Sequence, residues 1–257
     1  MSKSEKVIEV KGRKIGGEIS QICTPLVAKT EEQLFQEAEA ILALKPDLVE
    51  WRVDYFDDVE NIQKVLDILS HLRKKLEAYP IIFTCRVDLE GGHRKIENGL
   101  RFDLIKKVIK SRQVDIVDVE LISGEAILRE IIAEANENDI YVIISNHDFQ
   151  KTPSKEEMIE RLRKAQEIGA DIAKIAVMPN TMEDVLNLLY ATNTMKEKYA
   201  EIPLITMSMS GKGLISRMAG GVFGSAVTFG AGKAASAPGQ IAVAELREVI
   251  DILHKNM

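Results

Sequence analysis

Apolar positions along this chain fall into two rhythms. Short runs rich in Val, Ile, Leu and Phe recur roughly every 20 to 35 residues, and most are separated by stretches in which apolar residues return every three or four positions. The first pattern predicts strands at Gln21 to Leu26, Leu48 to Val53, Ile81 to Arg86, Val114 to Leu121, Tyr141 to Asn146, Ile172 to Met178, Leu204 to Met209 and Ala226 to Gly230. The second predicts helices between them, with stripes such as Leu34, Ala38, Ile41 and Leu42, then Ile62, Val65, Leu66 and Leu69, then Met158, Leu162 and Ala165. Thr30 followed by Gln33, and Ser154 followed by Glu157, have the spacing of helix capping boxes. Eight strand and helix units suit a closed parallel barrel better than an open sheet, so the expected fold is α/β, one (β/α)8 TIM barrel domain over residues 1–257. Val7 to Glu18, with Gly12 between two short β-like runs, is left over and is expected to form an N-terminal β-hairpin closing the barrel floor.

Strand parity then sorts the polar residues, because alternate side chains of a strand face opposite sides. Glu50 shares a face with Arg52, Thr84 with Arg86, Asp118 with Glu120, Ser145 with His147, and Thr206 with Ser208, while Lys174 lies on the face of Ile172 and Ala176. Apolar faces pack under helices, so these six polar faces are expected to point into the barrel, with their charges near the C-terminal mouth where barrel enzymes build their sites. Glu50, Arg52, Arg86, Glu120, His147 and Lys174 thereby become neighbours.

Lys174 stands out because it interrupts an apolar run from Ala170 to Met178. A buried ammonium must be paired, reach water or give up its proton, and a lysine that gives up its proton is a nucleophile. Two readings remain open on the residues alone. Glu50 with Arg52, Glu120 with Arg86, and Lys174 with any of the carboxylates can be structural ion pairs, or the whole set can be a site for an anion and a carbonyl. One histidine among scattered carboxylates lacks metal-ligand spacing, and two arginines plus a lysine would repel a divalent ion, so no metal is expected. His71, His93 and His254 are expected at the surface, and Cys23 and Cys85 as reduced core residues.

Composition changes the picture only by exclusion. Forty acidic and 34 basic residues give a formal charge of -6 and are well mixed, so neither nucleic acid nor a membrane surface is an expected partner. The apolar runs are too short to span a bilayer and the start of the chain carries no apolar signal core, which points to the cytoplasm. In the last third, Arg217 follows Ser210 to Gly213, and Gly230 to Lys233 leads through Ser236 to Gln240 into the final helix. Such a glycine-rich stretch suits either a phosphate grip or a mobile lid.

Taken in order, Glu50 to Asp54, Arg86 four residues before Glu90-Gly91-Gly92, Ser145 to Phe149, Lys174, Arg217 and Ser236 to Gln240 resemble the type I 3-dehydroquinate dehydratases of the shikimate pathway. The resemblance runs from the first barrel strand to the last helix, with His93 after the glycine pair as a departure outside the matched set. It implies a cytoplasmic homodimer, a (β/α)8 barrel without metal or organic cofactor, that converts 3-dehydroquinate to 3-dehydroshikimate through an imine. It further implies that Lys174 forms the Schiff base, His147 transfers protons and Glu90 orients His147. Arg217, Ser236 and Gln240 would hold the substrate carboxylate or adjacent hydroxyls, and Glu50, Arg52 and Arg86 the ring hydroxyls. The chemistry suits the inventory, since a neutral lysine is needed to form an imine that serves as electron sink, and an imidazole can act as both base and acid near neutrality. The rival readings are a class I aldolase acting on a phosphorylated sugar, and a catalytically silent barrel that binds an acidic metabolite.

Overall fold

The computed structural model describes residues 6–232 and 239–257. Its chain starts with an antiparallel hairpin, β1 (Ile8–Val10) and β2 (Arg13–Ile15), turned by Lys11 and Gly12 at positive φ. Eight parallel strands follow: β3 (Gln21–Leu26), β4 (Leu48–Arg52), β5 (Ile81–Thr84), β6 (Ile116–Glu120), β7 (Tyr141–Asp148), β8 (Ile172–Val177), β9 (Leu204–Ser208) and β10 (Val227–Phe229). Each pairs with the next from β3 to β9, and β10 pairs back onto β3. Between β9 and β10 the ring closes through one parallel bridge, Leu204 with Ser225, reinforced by the Ala226 N–H donating to Leu204 O at 2.7 Å and the Thr206 N–H to Ser225 Oγ at 3.0 Å.

Helices α1 (Glu31–Leu44), α2 (Ile62–Lys75), α3 (Asn98–Ser111), α4 (Glu125–Glu137), α5 (Lys155–Ile168), α6 (Met182–Lys198), α7 (Leu214–Ala219) and α8 (Val243–Lys255) form the outer layer. Thr30 and Ser154 cap α1 and α5 as their spacing predicts, each accepting the N–H three residues on. Gln33 does not complete the box, since its side chain takes the N–H of Lys29 instead. Residues of the outward strand faces, among them Val49, Trp51, Phe83, Val117, Ile144 and Ile175, pack with buried helix residues such as Leu34, Leu69, Leu104 and Leu162 in the larger core.

A second core fills the barrel. Cys23, Leu48, Ile82, Ile116, Ile143, Ile172, Ile205 and Val227 pack with Ile8, Val10 and Ile15, so the hairpin plugs the N-terminal end as expected. The strand that departs from expectation is β9. Its interior residues are Ile205 and Met207, while Thr206 bonds Thr192 of α6 at 2.7 Å and the Ser208 N–H donates to Ser216 Oγ of α7 at 2.8 Å. The polar face of β9 therefore serves helix docking and not the barrel interior. Both cysteines are buried and free, and no helix among the described residues is long and apolar enough to cross a membrane.

Candidate active site

Above the layer of Leu48, Ile82, Ile116, Ile143 and Ile172, the next inward positions are Glu50, Thr84, Asp118, Ser145 and Lys174, and the positions after those include Arg52, Arg86, Glu120 and His147. One period-2 step along five neighbouring strands thus changes the interior from apolar to charged. At this end an open pocket, enclosing about 420 Å³ together with the solvent at its mouth, is lined by Glu50, Arg52, Arg86, Glu90, His147, Lys174, Gln240 and an apolar wall of Phe149, Ala176, Met207, Met209 and Phe229.

Lys174 Nζ reaches Asp118 Oδ2 at 2.8 Å and Glu50 Oε1 at 3.8 Å, and it lies 4.8 Å from the centre of the Phe229 ring. Asp118 was legible as an inward residue beside Glu120, yet sequence reasoning left it out of the site. Its other oxygen meets Arg86 Nη1 at 2.9 Å and the Ser145 hydroxyl donates to it at 2.6 Å. Burial alone would raise the Asp118 carboxyl, but Arg86 and Lys174 overcome this and hold it far below the usual range. Arg86 also donates to Glu120 at 2.8 Å and to Ser145 Oγ at 2.7 Å, and its guanidinium is shifted upward, the two carboxylates outweighing its burial. Arg101 of α3, fully buried and missed from the sequence, donates to the second oxygen of Glu120 at 2.6 Å. Its place on the helix stripe with Leu104, Ile105 and Val108 was the available signal.

Arg52 makes a two-pronged contact with Asp54, both bonds 2.8 Å, and donates to Gly91 O at 3.2 Å. Asp54 also accepts the N–H of His93, whose exposed ring stacks on Tyr55. Glu90 comes to β7 from the short helical turn after β5. It accepts the His147 N–H at 2.7 Å and the Asn146 side-chain amide at 3.1 Å, and lies 3.0 Å from His147 Nδ1. Burial, aided by Glu120 and opposed by Arg86, pushes Glu90 up to about 7. Burial and the charges of Arg86 and Lys174 pull His147 well below its ordinary value.

Arg217 does not line the cavity. It is buried on α7 behind its wall, with Nη1 3.6 Å from Met207 Sδ, and burial draws its guanidinium down to about 10. Ser236 and Lys233 lie outside the described residues. Among the described residues no group of three or more His, Cys, Asp or Glu is arranged to hold a metal ion.

Residues 22–257 match the family model of type I 3-dehydroquinase. The chain is 52% identical over 250 residues to the 3-dehydroquinate dehydratase of Bacillus subtilis, covering 97% of this chain and 98% of that protein. It is 51% identical over 249 residues to the enzyme of the same name from Clostridium novyi, covering 97% and 98%. Among solved structures, the type I 3-dehydroquinate dehydratase of Clostridium difficile with covalently modified comenic acid superposes with a TM-score of 0.96 at 46% identity, covering 99% of this chain and 100% of that one. With the matched region running from Ile22 in β3 to the end of the chain and taking in every described residue of the cavity, the chain belongs to the type I 3-dehydroquinase family.

Proposed function

We propose that this chain removes water from 3-dehydroquinate to give 3-dehydroshikimate, the shikimate-pathway dehydration, through an imine on Lys174. The observation that carries the reading is a lysine Nζ and an imidazole held by a carboxylate lining one pocket at the barrel mouth. Nζ attacks the ketone and water leaves to form the imine, which makes the neighbouring α-proton acidic. His147 takes that proton, and the resulting enamine expels the β-hydroxyl, to which His147 returns the proton. Water then hydrolyses the imine and releases the lysine.

In this reading Glu90 orients the imidazole. Glu50, Arg52 and Arg86 meet the ring hydroxyls, and Arg217, Gln240 and Ser236 hold the substrate carboxylate or its adjacent hydroxyls. For Arg217, which stands behind Met207, this requires the Met207 side chain to give way when substrate enters. The relatives named above support dehydration over aldol cleavage of a phosphorylated sugar by the same lysine.

Borohydride reduction in the presence of 3-dehydroquinate tests the assignment. The expected result is a covalent adduct on the peptide containing Lys174, absent in Lys174→Ala together with turnover. In His147→Ala trapping should persist while turnover falls by about 10² to 10⁴. An adduct on another lysine, or full turnover without trapping, would overturn it.

A further inference from the structure

Arg161 lies on α5, outside the cavity, yet a continuous set of polar contacts ties it to the cavity imidazole. Its Nη1 donates to Asn146 Oδ1 at 2.6 Å, Asn146 Nδ2 donates to Glu90 Oε1 at 3.1 Å, and Glu90 Oε2 lies 3.0 Å from His147 Nδ1. The direction of every contact follows from the first. A guanidinium has donors only, so the amide atom that meets it must be the oxygen, and the amide nitrogen must then face Glu90. Glu90 Oε1 is thereby an acceptor. Oε2 already accepts the backbone N–H of His147 at 2.7 Å. With Glu90 ionised and both its oxygens accepting, the hydrogen between Glu90 and the ring belongs to Nδ1, and Nε2 keeps the lone pair.

We infer that Arg161 is a positioning residue that fixes the tautomer of His147, acting through the Asn146 amide and Glu90. The inference rests on the reading of His147 as the proton-transfer group, for which a lone pair on Nε2 is the working form. Without a donor at position 161 the Asn146 amide is free to turn over and offer its oxygen to Glu90. That oxygen stabilises the protonated carboxylic acid and releases Nδ1 from its role as donor. Other charges surround the pair: Arg86 and Glu120 face Glu90, and Arg52, Arg86, Asp118 and Lys174 face His147. They set the background potential, but among the described residues the hydrogen bond to Oε1 comes from Asn146, so the sense of the amide falls to Arg161. Arg161 also pairs with Glu157 one turn earlier on the exposed side of α5, which supplies a control.

The test uses full-length protein labelled with ¹⁵N-histidine. Long-range ¹H–¹⁵N spectra without substrate report the His147 tautomer, its signals assigned by their loss in His147→Gln, and kcat/KM is measured across pH on the same samples. Above a pH of about 7, where Glu90 is ionised, the wild type should show hydrogen on Nδ1. Arg161→Met should show mixed tautomers and an acidic limb of kcat/KM moved up by about one pH unit, the worth of one hydrogen bond to a charged group. Arg161→Lys, again a donor only, should restore both readouts, and Glu157→Gln, which breaks only the helix pair, should change neither. An unchanged tautomer and profile in Arg161→Met, or an Arg161→Lys variant as altered as Arg161→Met, would overturn the inference. The spectra need no turnover, so a failure of the reading of His147 as the proton-transfer group would show separately, as full activity in His147→Ala.

Discussion

Lys174 Nζ and Asp118 Oδ2 form a buried ion pair 2.8 Å long, and the second oxygen of Asp118 is held by Arg86 at 2.9 Å. Burial opposes the Asp118 charge, but the two cations overrule it and keep the carboxylate far below its ordinary range. Asp118 is accordingly a poor acceptor for a proton leaving Nζ. It serves as the fixed anion that allows a lysine and an arginine to share the barrel interior, and in the proposed reaction His147, not Asp118, is the group that takes up protons.

Asp118→Asn tests this role through stability. Removing the anion leaves Arg86 with Glu120 and leaves Lys174 with Glu50 at 3.8 Å, both inside the barrel. Breaking a buried pair by deleting one partner costs about 3–5 kcal/mol, because the remaining charge is neither solvated nor matched. Urea melts at neutral pH should show a loss of that size. A loss below about 1 kcal/mol would mean that Glu50 and Glu120 close the gap, and that Asp118 is dispensable for burying the cations.

Much of this arrangement is legible in the residue order, because strand parity is a strict rule. Glu50, Arg52, Thr84, Arg86, Asp118, Glu120, Ser145 and Lys174 all lie where a period of two puts them. Parity misleads at β9, because a hydroxyl serves equally well inside a barrel and against a helix, and Thr206 took the second course, while Ser208 meets α7 through its backbone N–H. Arg217 follows a mouth loop, as a lining residue would, but it is buried on α7 with Nη1 3.6 Å from Met207 Sδ, a contact its sequence position does not show. The contacts of Arg101 with Glu120 and of Arg161 with Asn146 join a helix to a strand end, and their partners are set by how the layers pack, which no local pattern carries.

Gly91→Ala should reach the cavity through the backbone. Gly91 has φ of 85°, and a Cβ built there would come within 2.3 Å of the Phe149 ring, while its carbonyl accepts a bond from Arg52 at 3.2 Å. The substitution is expected to cost about 1–3 kcal/mol from the left-handed conformation and the displaced ring. Phe149 lines the cavity and stacks near His147 at 6.5 Å. Denaturation and steady-state kinetics should therefore report a destabilised protein with raised KM for 3-dehydroquinate. A variant with normal kinetics would show that the ring swings outward without disturbing the cavity.

The Glu90 and His147 shifts have opposite signs, and stability measured against pH separates them. Folding raises Glu90 from 4.5 to about 7, so between those values the native state holds a proton that the unfolded chain has lost, and stability falls as pH rises. Folding lowers His147 from 6.5, so below that value the unfolded chain holds a proton that the native imidazole lacks, and stability rises with pH. Across the shared window each state of the wild-type pair binds one proton, native on Glu90 and unfolded on the imidazole, and the two slopes offset. In His147→Ala the Glu90 slope stands alone, and unfolding free energy should drop by about 3 kcal/mol between pH of about 4.5 and about 7. In Glu90→Gln the opposite slope should appear, with stability climbing as pH rises toward the ordinary imidazole value. Urea melts at half-unit pH intervals read both. Parallel slopes in the two variants would mean that the native pair does not keep its proton on the carboxyl, and that the burial of Glu90 is compensated by the donors around it.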